Sequence, residues 1–459
     1  MVGQTGPPSD EPLLKRRIGL YAATAITVGS IIGSGIFRSP HSVAQELTSP
    51  TLALLAWILG GFLSLCGSLA LAEMAVTHPR TGGLYVFIRE SFGDRLAFVF
   101  GWASLWVIKP TVIASIASVF ATYFCQAVGL GKGAEFLAGF AAIALLTFVN
   151  LLGVRQGTGV QTVLTTLKVA GILGLCAAAF ALPHAGPAAG QIVAEPHRGH
   201  PLLLAFAFAM IPIFFAYDGW TDSTYVGGEI VNPARNIPIA ILGGTLLVVA
   251  VYVITNIAYF SVLTSAEMAT YEAVGAETRR RILGDWGGRA LVVLVAVSTF
   301  GTVNASILTG PRVTLAMAAD GLFWKRAAHV NVERGTPDVA LWIQGALATI
   351  WLWFAGGFED VSGWFVTTSW LFYGLTISAL FIYRRRQREG LLAAPRYRTP
   401  LYPATPLVFI LVTVAIVASD LSSSGWRAAA GVLVAALGFP FSYIWTRKSR
   451  NKAAAAPRS

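Results

Sequence analysis

Tyr21-Ala-Ala-Thr-Ala-Ile-Thr-Val-Gly-Ser-Ile-Ile-Gly-Ser-Gly-Ile-Phe37 is an apolar, helix-forming stretch interrupted by Gly33 and Gly35, where a bilayer-spanning helix should be most regular. In hydrocarbon an unwound backbone leaves N–H and C=O groups unpaired at several kcal/mol each. Such a break persists only where it lines a cavity and meets a polar partner. The interruption reads as half of a binding site; the competing reading is that the glycines only let helices approach closely.

The rest of the chain puts that stretch in a membrane. Of 459 residues, 55% are hydrophobic and 12% charged, more apolar surface than one soluble core can hide. Spans of about 20 residues fit twelve times, at 18–38, 51–75, 97–124, 134–152, 157–181, 201–230, 237–263, 289–318, 337–356, 361–383, 403–420 and 427–446. The fold class is all-α integral membrane, with tails at 1–17 and 447–459 and no cleavable leader. Tails and even-numbered loops hold 22 Lys and Arg residues against 8 on the opposite side, which places both termini in the cytoplasm. The net charge of +11 then reflects topology and anionic lipid headgroups, and nucleic acid is not implied.

Chemistry of other kinds finds no foothold. Cys66, Cys125 and Cys176 sit in apolar surroundings as packing residues, the six histidines lack ligand spacing, and no phosphate loop, nucleophile elbow or dinucleotide fingerprint occurs. No metal, cofactor or enzymatic activity is expected. The longest loops, 264–288 outside and 384–402 inside, are too short for a soluble domain. Pro79-Arg-Thr-Gly-Gly83 reads as a connecting turn, and Trp351, Trp353 and Tyr383 as interfacial residues.

Span six repeats the anomaly of span one: Phe215-Ala-Tyr-Asp-Gly-Trp-Thr-Asp222 places two carboxylates and a glycine at mid-span. Breaks five spans apart are the mark of an inverted repeat, 18–181 against 201–383, with the site near the bilayer midplane. Asp222 reads as a helix cap, and Asp218 equally as a cap or a pocket residue. The half-helix after Gly35 presents free N–H groups, which suit an anion. Carbonyls near Ile31–Gly33 and Phe214–Ala216 suit a cation. Anion and cation sites this close match a zwitterion, and so an α-amino acid.

Val28-Gly-Ser-Ile-Ile-Gly-Ser-Gly-Ile-Phe37, Pro79-Arg-Thr-Gly-Gly-Leu-Tyr85, Phe215-Ala-Tyr-Asp-Gly-Trp220 and Glu229-Ile-Val-Asn-Pro-Ala-Arg-Asn-Ile-Pro238 together resemble the L-amino acid transporter (LAT) family of the amino acid–polyamine–organocation superfamily. The resemblance runs in order from about residue 16 to the twelfth span. It implies the LeuT-type five-plus-five fold with spans 1 and 6 broken, and sodium-independent amino acid exchange. By motif, Ser34 and Gly35 would hold the substrate carboxylate; Ile31, Phe215 and Asp218 would offer carbonyls to its amino group, with Phe215 as gate. Many animal members carry glycine in place of Asp218. Asn304 matches the family's polar residue near the first break, and Lys168 its lysine at the place of a sodium ion in related carriers. There Lys168 would bridge the carbonyls near Ile31–Gly33 to Ser298 or Thr299, with Tyr252 nearby.

Lys109-Pro110, within span three, reads as a snorkelling lysine or one that neutralises a carbonyl freed by the proline. Animal relatives pair with a glycoprotein through a cysteine between spans three and four. The short segment 125–134 leaves Cys125 at a span end, so a stand-alone bacterial inner-membrane protein is expected, with no disulfide-linked subunit. A small to medium neutral amino acid is the expected substrate. A proton-coupled symporter of the same fold, or a channel or receptor, are the alternatives.

Overall fold

The computed structural model describes residues 14–182, 200–354, 358–423, 426–443 and 445; the expectations for residues 1–13 of the first tail, the second tail, part of the loop before span six and the end of span nine fall outside them. Apolar helical segments follow one another among the described residues as Leu20–Glu46, Pro50–Thr77, Asp94–Val128, Lys132–Leu152, Val154–Ala181, Leu202–Tyr217, Pro233–Val262, Trp286–Ala319, Asp338–Phe354, Phe358–Arg388, Ala404–Ser419 and Ala429–Tyr443. Leu137, Phe148, Val163, Leu246 and Leu411 stay exposed on this bundle, as a lipid-facing belt requires.

The first, third, sixth and eighth segments form the interior. The third packs on the eighth, the first on the fifth and eighth, and the second half of the first on the sixth. Proline shapes two of them. Pro110 has no N–H for the Trp106 carbonyl one turn back, the third segment widens into a π-turn at Ser104–Ile108, and Trp351 Nε1 donates to that carbonyl at 2.9 Å. Pro40 likewise frees the Ile36 carbonyl, which accepts from the Tyr259 hydroxyl at 3.4 Å.

Several sequence expectations are corrected here. The first span runs on to Glu46 because residues 38–46 continue an amphipathic helix for more than two turns against the sixth. The loop 264–288 is largely helical: Thr264 and Glu267 form a capping box at Ser265–Met268, and helix resumes at Val274. Arg281 joins Glu267 and Glu277 there, and its hydrogen bond holds the Glu267 carboxyl below the ordinary carboxylate range. Tyr383 is buried, edge-on to the His78 ring, and not interfacial.

One end of the bundle is tightly closed. Ile18 pairs in parallel with Ile230, and the Arg17 and Ile18 amides donate to the Glu229 carbonyl at 2.8 and 2.9 Å. The Glu229 carboxylate accepts from Nε and Nη2 of the buried Arg312 guanidinium, at 2.9 and 3.0 Å. The turn at 79–83 packs beneath, where a Cβ on Gly228 would lie 2.8 Å from the Thr81 amide nitrogen.

Candidate functional site

The first break opens where helix Leu20–Ile31 stops and helix Gly35–Glu46 begins. By position the amides of Gly35 and its neighbours have no acceptor within the new helix, and the last carbonyls of the old one have no donor. Those carbonyls are met from behind. Lys168 Nζ donates to Gly29 O at 3.0 Å and Ile32 O at 2.6 Å, and to Thr302 Oγ1 at 3.0 Å. Thr302 Oγ1 lies 3.1 and 3.0 Å from the same two carbonyl oxygens, and Ser298 Oγ donates towards Ile32 O and Gly33 O at 3.3 and 3.2 Å. Lys168 is fully buried, and its amino group sits where two free carbonyls converge.

The sixth break lies directly against the first. Helix Leu202–Tyr217 ends at Asp218, and the chain turns through Gly219 at φ +112° into a four-residue helix, Asp222–Tyr225. A Cβ on Gly35 would fall 2.6 Å from Ala216 Cα, and one on Gly219 would fall 2.7 Å from the Ser30 carbonyl carbon. Glycine at both positions is what lets the unwound segments touch. Tyr252 ties them together, its hydroxyl 3.0 Å from both Ile31 O and Ala216 O.

A cavity of about 40 Å³ lies between the breaks. Ile31, Gly33, Ser34, Gly35, Phe215 and Asp218, all singled out from sequence, line it. Ala216, Lys168, Tyr252 and Ser298 stand behind its wall. The hydroxyls of Ser30 and Ser34 are buried at the cavity without a protein partner among the described residues. Asp218 Oδ1 accepts from the Tyr373 hydroxyl at 2.7 Å, and Phe215 meets Phe365 edge-on at 6.5 Å between ring centroids.

Four sequence readings are revised. Asn304 is not on the cavity: its amide donates to Gly157 O and Gln161 Oε1 at 3.2 and 2.9 Å, and it accepts from Asn150 Nδ2 at 2.9 Å. Two residues along a helix turn the side chain by about 200°, and Thr302 and Ser306, one turn apart, face the cavity instead. The span-eight hydroxyl that meets the lysine is Thr302; Ser298 bonds the Ile32 and Gly33 carbonyls instead, and Thr299 bonds back to Val295 O. Asp222 caps nothing with its side chain; it pairs with Lys109 at 2.7 Å. Lys109 therefore neither snorkels nor serves the proline-freed carbonyl, which Trp351 satisfies.

Thr302 could have been found as the residue one turn beyond Ser298. Ser30, Gly219 and Tyr373 also belong to the site, and of these the glycine, next to Asp218 in a broken span, carried the clearest signal.

Comparisons with known proteins bear on this arrangement directly. The family described as "Amino acid permease" matches residues 18–438. The chain is similar to the serine/threonine exchanger SteT of Bacillus subtilis, 32% identical over 437 residues covering 94% of this chain and 97% of the relative. It is also similar to the human b(0,+)-type amino acid transporter 1, 32% identical with 94% of this chain and 88% of the relative covered. A third relative, the human large neutral amino acids transporter small subunit 2, is 34% identical, with 86% and 74% covered.

Proposed function

The chain belongs to the amino acid permease family, in its LAT-type branch with the twelve-helix LeuT-type fold, and on that premise we propose a sodium-independent exchanger of small neutral L-amino acids. It is a membrane transporter and not an enzyme. The observation that carries the reading is the juxtaposition at the cavity: a Ser34 hydroxyl at a helix N-terminus, without a partner among the described residues, lies across from carbonyl ends gathered by Tyr252. The substrate carboxylate binds the Ser34 and Gly35 amides, with the Ser30 and Ser34 hydroxyls as further donors. Its ammonium binds the carbonyls of Ile31, Phe215 and Asp218. Gly33 keeps the approach open.

The size of the cavity supports small substrates. At about 40 Å³ it exceeds what one ordered water needs by roughly threefold. Lys168 occupies the position a coupled cation would take, which supports sodium independence. Phe215 closes over the substrate on one side, opposite the end sealed by Ile18, Glu229 and Arg312, so access alternates by moving the breaks together. The Lys and Arg distribution supports cytoplasmic termini, and the likeness to a bacterial exchanger supports a bacterial inner membrane. Cys125, buried at the end of the third span, supports a carrier that works without a disulfide-linked subunit.

Counterflow in sodium-free proteoliposomes tests the proposal. Uptake of labelled L-serine should be stimulated strongly by L-serine inside. A requirement for sodium would contradict it, and acid-driven net uptake into empty vesicles would replace exchange by proton symport.

A further inference from the structure

The same cavity wall holds a charge pair that the handling of the amino acid's two common groups does not use. Lys109 Nζ lies 2.7 Å from Asp222 Oδ1, with 8% and 6% of the two side chains exposed. Thr309 Oγ1 donates to Asp222 Oδ2 at 3.1 Å, and Lys109 Nζ stands 4.5 Å from the centre of the Tyr225 ring. The neighbouring carboxylate, Asp218, is engaged by Tyr373. Apolar residues of equal volume would usually hold two helices together at least as well as a buried ion pair, so stability alone is a poor reason for one. Its position in the cavity lining gives a better one.

We infer that the Lys109–Asp222 pair sets the charge selectivity of the cavity. Asp222 masks an ammonium that would otherwise receive an anionic side chain, and Lys109 masks a carboxylate that would otherwise receive a cationic one. The inference rests on the amino acid reading above. It makes two opposite predictions from one contact. Asp222→Asn leaves Lys109 unmasked and should admit L-aspartate; Lys109→Gln leaves Asp222 unmasked and should admit L-ornithine.

The test is competition against labelled L-serine counterflow in proteoliposomes by L-alanine, L-aspartate and L-ornithine. Wild type should be inhibited by L-alanine and by neither charged amino acid. In Asp222→Asn the potency of L-aspartate relative to L-alanine should rise about ten- to hundredfold, the scale of a hydrogen bond to a charged group. In Lys109→Gln the same gain should go to L-ornithine, and the double variant should show neither. A pair that only holds helices together would scale all competitors alike. Unchanged potency ratios in either single variant that still exchanges L-serine would therefore overturn the inference. Where one variant does not fold, the other decides alone. Wild type that fails to exchange L-serine would overturn the underlying reading instead.

Discussion

At the first break the polar groups are carbonyls, amides and serine hydroxyls, with one lysine amino group, that of Lys168, brought in from behind. At the sixth they are side-chain carboxylates, each answered from a distant helix: Asp218 by Tyr373 and Asp222 by Lys109. On the proposed reading both breaks lend backbone groups to what every α-amino acid shares, and the sixth alone adds side-chain charges around what differs between them. Close contact of the two, through Gly35 on Ala216 and Gly219 on Ser30, makes one site of both.

The largest effect should come from separating the breaks. Gly35→Leu is expected to abolish substrate binding, because even a Cβ there meets the Ala216 backbone. Titration calorimetry on purified protein checks this, and wild-type affinity would mean that the carboxylate sits elsewhere. Lys168→Ala should come next. Loss of its hydrogen bonds to Gly29 and Ile32 should slow exchange about ten- to hundredfold in a protein that still elutes as a folded, monodisperse species. Undiminished exchange would remove the lysine from the account.

Ser34→Ala takes away one donor and leaves the amides in place. It should weaken binding by about 1–2 kcal/mol, read from the concentration of L-serine that half-saturates exchange. Phe215→Ala should have the smallest effect on affinity and slow turnover several-fold, on the order of 1 kcal/mol in barrier. Equal losses in turnover and affinity would make the ring a packing residue and blur the distinction between the two breaks.

The first break was legible in the sequence because glycines inside an apolar span are a contrast visible within the span itself. Lys168 was legible for the same reason, a charge halfway along a helix. The contacts of the sixth break were not. Asp222 reads as a cap when its own span is considered alone, and the ammonium that claims it lies 113 residues away. Asn304 was misplaced because span eight carries hydroxyls and amides on several faces, so its rotation about its axis had no marker in the pattern; Thr302 and Ser306 share the inward face and Asn304 does not. Tyr373 offered no contrast in an aromatic-rich span. The fold needed only span lengths and two breaks, whereas the site needed the pairing of spans.

The central claim is that backbone groups at the paired breaks read both ends of a zwitterion. Thermal stabilisation of the purified protein by L-alanine, L-alanine methyl ester and propionate at matched concentrations tests it most directly, since a ligand that binds only the folded state raises its stability. Stabilisation by L-alanine alone is the predicted result. Equal stabilisation by the ester, which lacks the carboxylate, or by propionate, which lacks the ammonium, would contradict it.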